Sequence, residues 1–232
     1  MFEPSDREIV KRTGPKTARI LNLRGILQHP VEAESSLEAD FVRRAALSTR
    51  AADIVHQPLK ITLRRGRYTP DFLVVLNDGT KYVVEVKLRR KVRKYREVFD
   101  EVSSMVADRG GRFLVTDEYL IRGGHAHVRA ALVLRHLKAT AFPKDLCDDA
   151  VRAVARSGSG LAIKDVMSEA RVTRALLYHL ISVRRLVIDE RLHLDDGAFL
   201  FIPGSDAAND VDFFQRHSDA LWISQPAGNT AA

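Results

Sequence analysis

Apolar residues recur every three to four positions in three stretches of the first part of the chain. This spacing predicts amphipathic helices at about 35–50, 94–109 and 128–137. The first of these helices opens with Ser35 and Glu38, which have the S-x-x-E spacing of a capping box. Helices of this kind bury one face, so we expect each of them to pack against other elements of a core.

The stretch between the first two helices carries apolar runs separated by turn signals, a pattern that predicts strands. Residues 53–64 are interpreted as a loop that leads into a strand, and the next strands are expected at about Tyr68–Leu76 and Lys81–Leu88. These three strands are expected to form an antiparallel meander. A short strand at Arg112–Thr116 follows a helix, which suggests a parallel addition through a right-handed crossover. Residues 31–142 are thus predicted to form one α/β domain, with a mixed sheet flanked by helices.

The pattern changes from Pro143 onwards, where short helices precede a hairpin. The predicted helices are Leu146–Ala155, Ile163–Ser168 and Val172–Val183, and the apolar runs that follow are Leu186–Ile188, Arg191–Leu194 and Ala198–Ile202. Helix, short helix, helix and hairpin in this order is the plan of a winged helix-turn-helix. A C-terminal winged-helix-like domain is therefore predicted at 143–203.

The two ends of the chain are predicted to lie outside these domains. Residues 1–30 mix cations with glycine and proline, which favours a basic extended arm: either a disordered terminus or a contact arm for DNA or a partner. Residues 204–232 are predicted to form an acidic tail, with apolar points at Phe213-Phe214 and Leu221-Trp222-Ile223.

Composition limits the classes of function. The chain has 232 residues, a net charge of +7 and a pI of about 9.7, so it can bury a core, and its basic balance favours nucleic acid or another anionic partner. No apolar run approaches the ~20 residues of a membrane helix, and the N-terminus lacks the apolar region of a secretory signal. The single cysteine, Cys147, excludes an intramolecular disulfide and a cysteine-based zinc site, suits the cytosol and is expected to be buried.

The stretch 68–87 contains residues with the chemistry of a phosphodiesterase site. Asp71 heads one apolar run, and Glu85 and Lys87 lie two apart on the next, so their side chains point to one face of a strand. Mg²⁺ prefers hard oxygen ligands, and a nuclease needs convergent carboxylates, often with a cation beside the attacking water. We therefore predict a site for one or two magnesium ions, in which the backbone carbonyl of Val86 is a further candidate ligand.

The predicted site requires a particular register between the two strands. A strict two-residue loop, Asp78-Gly79, would pair Asp71 with Val86 and put Glu85 on the opposite face. A three-residue loop that also includes Asn77, with Gly79 left-handed, pairs Asp71 with Glu85. The alternative is a break in the ladder around Pro70.

Cations predict contacts to the phosphates of a nucleic acid in two places. Directly after Lys87 come Arg89, Arg90, Lys91, Arg93 and Lys94. In the predicted winged-helix-like domain, Arg171, Thr173 and Arg174 lie at the head of the candidate recognition helix, where they would contact DNA. The alternative for this domain is docking on the rest of the chain or on a protein partner.

The pattern E…PD…ExK resembles the PD-(D/E)xK nuclease superfamily, which has a restriction-endonuclease-like αβββαβ core. The wider arrangement is similar to TnsA, the endonuclease subunit of heteromeric cut-and-paste transposases of bacterial mobile elements. It consists of SSLEADFVRRAAL, DIVHQPLKI, YTPDFLVVLNDGTKYVVEVK and FLVTDEYLIR, followed by the winged-helix-like region. The resemblance covers about Val31 to Ile202.

The resemblance implies a catalytic set of Glu38, Asp71, Glu85 and Lys87, with Glu38 as a direct or water-mediated metal ligand; by spacing alone, a helix cap explains Glu38. It also implies Mg²⁺-dependent DNA cleavage at the 5′ ends of the element in the bacterial cytoplasm. The implied partners are a DDE-type transposase and an AAA+ regulator. Two alternatives stay open: a nuclease of the same superfamily in defence or repair, and a DNA-binding adaptor with a non-catalytic nuclease-like core.

Overall fold

The computed structural model describes residues 2–4, 18–138, 142–210 and 212–214. The chain divides into two compact units. The first unit contains the described residues up to Val42 together with Ala51–Ile121, and the second contains Arg43–Arg50 together with the described residues from Arg122 onwards. The predicted apolar point at 221–223 lies outside the described residues.

The elements up to Arg122 alternate between strands and helices. In chain order they are β1 (Phe2–Pro4), β2 (Arg19–Leu21), β3 (Val31–Ala33), α1 (Ser36–Ala45), β4 (Ala51–His56), β5 (Leu59–Leu63), β6 (Gly66–Tyr68), β7 (Phe72–Leu76), β8 (Lys81–Val86), α2 (Arg89–Val92), α3 (Arg96–Ala107), β9 (Arg112–Thr116) and α4 (Glu118–Arg122). The main sheet has the strand order β4-β7-β8-β9. Only its last pair, β8 with β9, is parallel, so the prediction of a mixed α/β unit is confirmed.

The hairpin between β7 and β8 has the predicted three-residue loop. Phe72 pairs with Val84 and Val75 with Lys81, and the Leu76 N–H donates to the carbonyl of Thr80 at 2.8 Å. Gly79 closes the loop at φ +84°, a left-handed conformation that glycine adopts without a steric penalty. The predicted register is therefore confirmed.

The predicted meander is wrong in its first strand. The strand beside β7 is β4, which was interpreted as a loop, whereas β5 pairs with β6 in a separate sheet that also contains β1. The reason lies between β4 and β5, where Gln57 has φ +37° and Pro58 has no N–H to donate to a ladder. The predicted strand at 68–76 is likewise split, because the chain leaves the extended ladder between β6 and β7.

One apolar cluster of the first unit forms where α3 packs against strands. Its buried members come from α3, β5, β8 and β9, and they are Ile61, Leu63, Val83, Phe99, Val102, Val106, Phe113 and Val115. Within the predicted N-terminal arm, β2 pairs with β3, and Leu21, Leu23 and Leu27 are buried. This part of the arm therefore contributes to packing.

The second unit consists mainly of helices around one apolar core. Its elements are α5 (Ala126–Leu134), α6 (Lys144–Ser157), β10 (Leu161–Ala162), α7 (Ile163–Glu169), α8 (Arg174–Ser182), β11 (Phe199–Leu200) and α9 (Asp206–Asp210). Cys147 is buried in this core, as predicted, and so are Ala130 and Val133 of α5. The second unit therefore includes α5, which precedes the predicted start of the winged-helix-like domain at 143.

The predicted hairpin of the second unit has a different pairing. β11 pairs with β10, and Phe201 forms a bridge with Val187. The predicted strand at 191–194 is not a strand, because Asp189 accepts hydrogen bonds from backbone N–H groups in this segment and Leu192 has φ +55°. No helix in the described ranges is long and apolar enough to cross a bilayer.

Replacing Gly79 tests whether the left-handed conformation of the loop requires glycine. A Cβ at Gly79 would meet no atom within 4 Å, so Gly79→Ala should lower the free energy of unfolding by about 1 kcal/mol through backbone strain alone. Gly123→Ala is the control, since Gly123 also has open space but no positive φ. Urea unfolding measures both, and equal midpoints for the two variants would contradict the assignment of strain to Gly79.

Candidate metal centre

The head of β7 and the end of β8 bring two of the predicted carboxylates together. Because Phe72 pairs with Val84, the residue before it, Asp71, lies opposite Glu85. The Val86 N–H donates to Asp71 Oδ2 at 2.8 Å, which ties this carboxylate to the backbone of β8. The observed register thus sets Asp71 opposite Glu85, as the site hypothesis required.

Glu85 is buried, with 3% of its surface exposed, and both of its carboxylate oxygens have partners. The Lys87 ammonium forms an ion pair with Oε1, and the Tyr68 hydroxyl donates to Oε2 at 2.5 Å. Burial and the charge of Glu85 raise the pKa of Tyr68 well above its ordinary value, so the hydroxyl stays protonated and remains a donor. Lys87 and Tyr68 therefore offset the charge of Glu85 where little water reaches it.

Glu38 makes one half of the predicted capping box, its N–H bond to Ser35, while its carboxylate accepts from the Ser35 hydroxyl and the Glu34 N–H; it also lies within electrostatic reach of the other acids. Its N–H donates to Ser35 Oγ at 3.1 Å, Ser35 Oγ donates to its Oε1 at 2.8 Å, and the Glu34 N–H donates to its Oε2 at 2.7 Å. Burial raises the pKa of Glu38, and the charges of Glu34 and Glu85 raise it further, against the hydrogen bonds that lower it. The cap and the acidic cluster thus use the same carboxylate.

Asp71 is the most strongly perturbed member of the cluster. Burial raises the pKa of its carboxyl well above the ordinary value, and the charges of Glu85 and Glu38 raise it further. Burial alone would lower the pKa of Lys87, but the charge of Glu85, its hydrogen bond and the charge of Asp71 outweigh burial and raise it. The four predicted catalytic residues therefore form one electrostatic unit, in which the lysine is a cation at neutral pH.

The donor chemistry of this cluster suits a hard divalent cation. Its ligand side chains are carboxylates that repel one another, and no donor in the described part of the chain reaches Asp71 Oδ1. The described ranges contain no group of three or more His, Cys, Asp or Glu side chains already spaced to hold a metal ion. A cation at Glu85 Oε1 would require Lys87 to move away from that oxygen.

Sequence reasoning missed two aromatic side chains of the site. Tyr68 reaches Glu85 from β6, and the Tyr95 ring lies under Lys87, with Nζ 5.3 Å from the ring centroid. Tyr68 stands at the head of the stretch that carries Asp71, which is the only signal for it in the sequence. The contact of Tyr68 with Glu85 depends on the break between β6 and β7. The sequence prediction of one continuous strand at 68–76 did not include this break.

The predicted phosphate-binding run lies on the surface directly after Lys87. Arg89, Arg90 and Lys91 belong to α2, Arg93 and Lys94 belong to the 3-10 turn that follows, and all five are exposed. These positions give the first unit a strip of cations that begins beside the acidic cluster.

Arg89 has contacts through both its backbone and its exposed side chain. Its N–H donates to Glu118 Oε2 at 2.8 Å, and its Nε lies 3.8 Å from Oδ2 of the fully buried Asp117. Its guanidinium lies 5.2 Å from the centroid of the exposed Tyr119 ring. The arginine nearest the acidic cluster in sequence is thus oriented by groups at the end of β9.

The predicted contacts in the second unit have partners within that unit. Thr173 is the N-cap of α8 and accepts from the Leu176 N–H at 3.4 Å. Arg174 donates to the carbonyl of Leu194 at 2.7 Å and pairs with Asp196. Arg171 is exposed, at φ +53°. Of the three, Thr173 and Arg174 therefore have structural roles at the head of α8.

Replacing Asp71 by asparagine should raise the free energy of unfolding at neutral pH. The carboxyl has a higher pKa in the folded state than its unfolded value of about 3.9, so ionisation opposes folding. The penalty is absent below that value, grows as the pH rises towards the folded pKa, and is complete above it. Asp71→Asn should therefore be more stable at pH 8, by on the order of 1 kcal/mol, and the gain should vanish below about pH 4. Urea unfolding in a chelator measures both.

Asp78→Asn is the matched control, since Asp78 lies in the exposed loop of the same hairpin. It should change the stability little at either pH. A gain for Asp71→Asn that is equal at both pH values would contradict charge repulsion as its cause.

No protein-family model matches the chain, and no curated protein matches it.

Proposed function

We propose that this chain is a metal-dependent DNA endonuclease of the PD-(D/E)xK type and, by its resemblance to TnsA, the endonuclease subunit of a bacterial transposase. The observation that carries the proposal is the register that sets Asp71 opposite Glu85, two residues before Lys87. The charge of Glu38 on α1 also acts on Asp71. A purely structural hairpin gains nothing from burying like charges beside each other.

The order of elements in each unit supports the same proposal. In the first unit, α1, the antiparallel strands β4, β7 and β8, the helix α3 and the parallel β9 follow one another. This is the αβββαβ order of the restriction-endonuclease-like fold, with the β5–β6 hairpin inserted. In the second unit, three helices with the β10–β11 pair and the Val187–Phe201 bridge match a winged-helix plan.

In the proposed reaction, Asp71, Glu85 and the Val86 carbonyl would hold Mg²⁺, with Glu38 as a direct or water-mediated ligand. A bound divalent ion supplies an activated water and stabilises charge on the phosphate. The charge of Glu85 raises the pKa of Lys87 against the opposite effect of burial. Lys87 is therefore an ammonium in the metal-free site, and in the proposed reaction it would orient the water and stabilise negative charge on the phosphate.

The strip of cations from Arg89 to Lys94 would place the DNA backbone next to these residues. Arg89 is oriented by Asp117 and Tyr119, and an arginine held in one orientation loses less freedom when it binds a phosphate. The proposed substrate is the 5′ end of the mobile element. The proposed partners are a DDE-type transposase and an AAA+ regulator, in the bacterial cytoplasm.

One observation favours a second candidate, a DNA-binding adaptor with a non-catalytic core. Both oxygens of Glu85 and both of Glu38 already accept hydrogen bonds or ion pairs within the chain. A core that never binds metal would keep these contacts permanently. Cleavage assays separate the two candidates.

Asp71→Ala and Lys87→Ala should each lower cleavage of element-end DNA by about 10²–10³-fold, because each removes a charge that acts in the transition state. The assay follows nicking at the 5′ ends, with the cognate transposase present, in Mg²⁺ and in chelator. Lys81→Ala is the control, since Lys81 is exposed at the other end of β8. DNA binding should survive in all three variants. Equal cleavage by wild type and Asp71→Ala would support the adaptor.

The double substitution Arg90→Ala with Lys91→Ala should weaken DNA binding and reduce its salt dependence. Two lost phosphate contacts lower the slope of log K against log salt by about 2. Arg64→Ala with Arg65→Ala is the matched control, because these arginines are exposed on the turn between β5 and β6. Fluorescence anisotropy at several salt concentrations measures both slopes. Equal slopes would place the DNA elsewhere on the chain.

A further inference from the structure

Gln57 occupies a conformation that its residue type rarely adopts. It has φ +37°, in the left-handed region that favours glycine, and only 8% of its surface is exposed. A turn between β4 and β5 could be made by glycine without this strain. Strained backbone of this kind persists where the surrounding contacts fix it, and such positions cluster at functional sites.

The contacts of Gln57 connect the two elements that carry the acidic cluster. Its backbone N–H donates to the carbonyl of Asp71 at 2.7 Å. Its side-chain Nε2 donates to Glu34 Oε1 at 3.2 Å, and the Glu34 N–H in turn donates to Glu38 Oε2 at 2.7 Å. Three hydrogen bonds thus link the backbone of Asp71 to the carboxylate of Glu38 by way of Gln57 and Glu34.

We infer that Gln57 is a positioning residue that sets the separation of Asp71 and Glu38. This inference rests on the proposed function, since it concerns the same metal centre. Asp71 has left the β7 ladder and Glu38 stands at the first turn of α1. The repulsion between the two carboxylates drives them apart. Gln57 opposes this separation by holding both elements, and its left-handed backbone lets the N–H and the side chain reach them at the same time.

The strain and the amide can be separated by two substitutions. Gln57→Gly keeps the backbone N–H and accepts the left-handed conformation, so it relieves the strain and removes the side chain whose amide donates to Glu34. Gln57→Glu keeps the size of the side chain but replaces the NH₂ donor by an acceptor that repels Glu34. Gln28→Ala is the control, because Gln28 is an exposed glutamine in the same unit.

The first measurement is calorimetric titration of the full chain with Mn²⁺, which needs neither DNA nor a partner. Loss of a group that orients metal ligands typically weakens metal binding by 10–100-fold. We expect at least about a 10-fold loss for Gln57→Gly, a larger loss for Gln57→Glu and none for Gln28→Ala. Thermal unfolding should show that Gln57→Gly is as stable as the wild type.

The second measurement is the Mg²⁺ concentration at half-maximal nicking, with the transposase and element-end DNA present. Gln57→Gly should need about 10 times more Mg²⁺ while its rate at saturating Mg²⁺ stays close to that of the wild type. A purely structural role would change the thermal stability and leave this midpoint unchanged.

Wild-type affinity for Mn²⁺ in Gln57→Gly would overturn the positioning role and leave the proposed function intact, provided that Asp71→Ala still abolishes binding. Absence of Mn²⁺ binding in the wild type itself, together with Mg²⁺-independent nicking, would overturn both. The two failures are therefore distinguishable.

Discussion

Repulsion among three carboxylates is the constraint on which the arrangement of the first unit depends. Burial and the charges of Glu85 and Glu38 together raise the pKa of Asp71, because charges that are removed from water interact strongly. The chain opposes this repulsion with few groups. These are the Lys87 ammonium, the Tyr68 hydroxyl and the Val86 N–H around the end of β8, and the Ser35 hydroxyl and Glu34 N–H at Glu38. Such a cluster lowers stability, and it is expected where charge is needed for chemistry.

The fold supplies the rigidity that such a cluster requires. The Gly79 loop fixes the register of β7 against β8, and Phe99 and Phe113 pack with Val83 of β8, the strand that carries Glu85. Preorganised charges are effective because they need not be rearranged during the reaction. Glu38 enters from α1, where the capping box with Ser35 fixes its first turn. Structural and chemical roles therefore coincide at this residue, so the sequence pattern alone could not distinguish them.

Sequence patterns of a few residues predicted the structural features that are determined by residues close together in the chain. The Asn77-Asp78-Gly79 loop, the cap at Ser35 and the helix that became α3 follow from residue types and spacing within a few positions. The strand β4 was missed because its neighbour β7 is separated from it by the whole β5–β6 hairpin, so its pairing leaves no short-range signal. Tyr68 and Gln57 were missed for the same reason. Their contacts with Glu85 and Asp71 exist only once the chain bends at 57 and between β6 and β7.

Charge balance gives Lys87 two successive roles in the proposed mechanism. Three ionised carboxylates and one ammonium leave an excess of two negative charges, which one divalent cation would neutralise. Without that cation, the ion pair with Lys87 stabilises the Glu85 charge. A cation that shares Glu85 Oε1 would displace Lys87, whose ammonium would then be free to meet a phosphate delivered by the strip from Arg89 to Lys94. A second divalent ion would give the site a net positive charge in the absence of DNA. Binding of the second ion would therefore depend on the DNA phosphate more strongly than binding of the first ion.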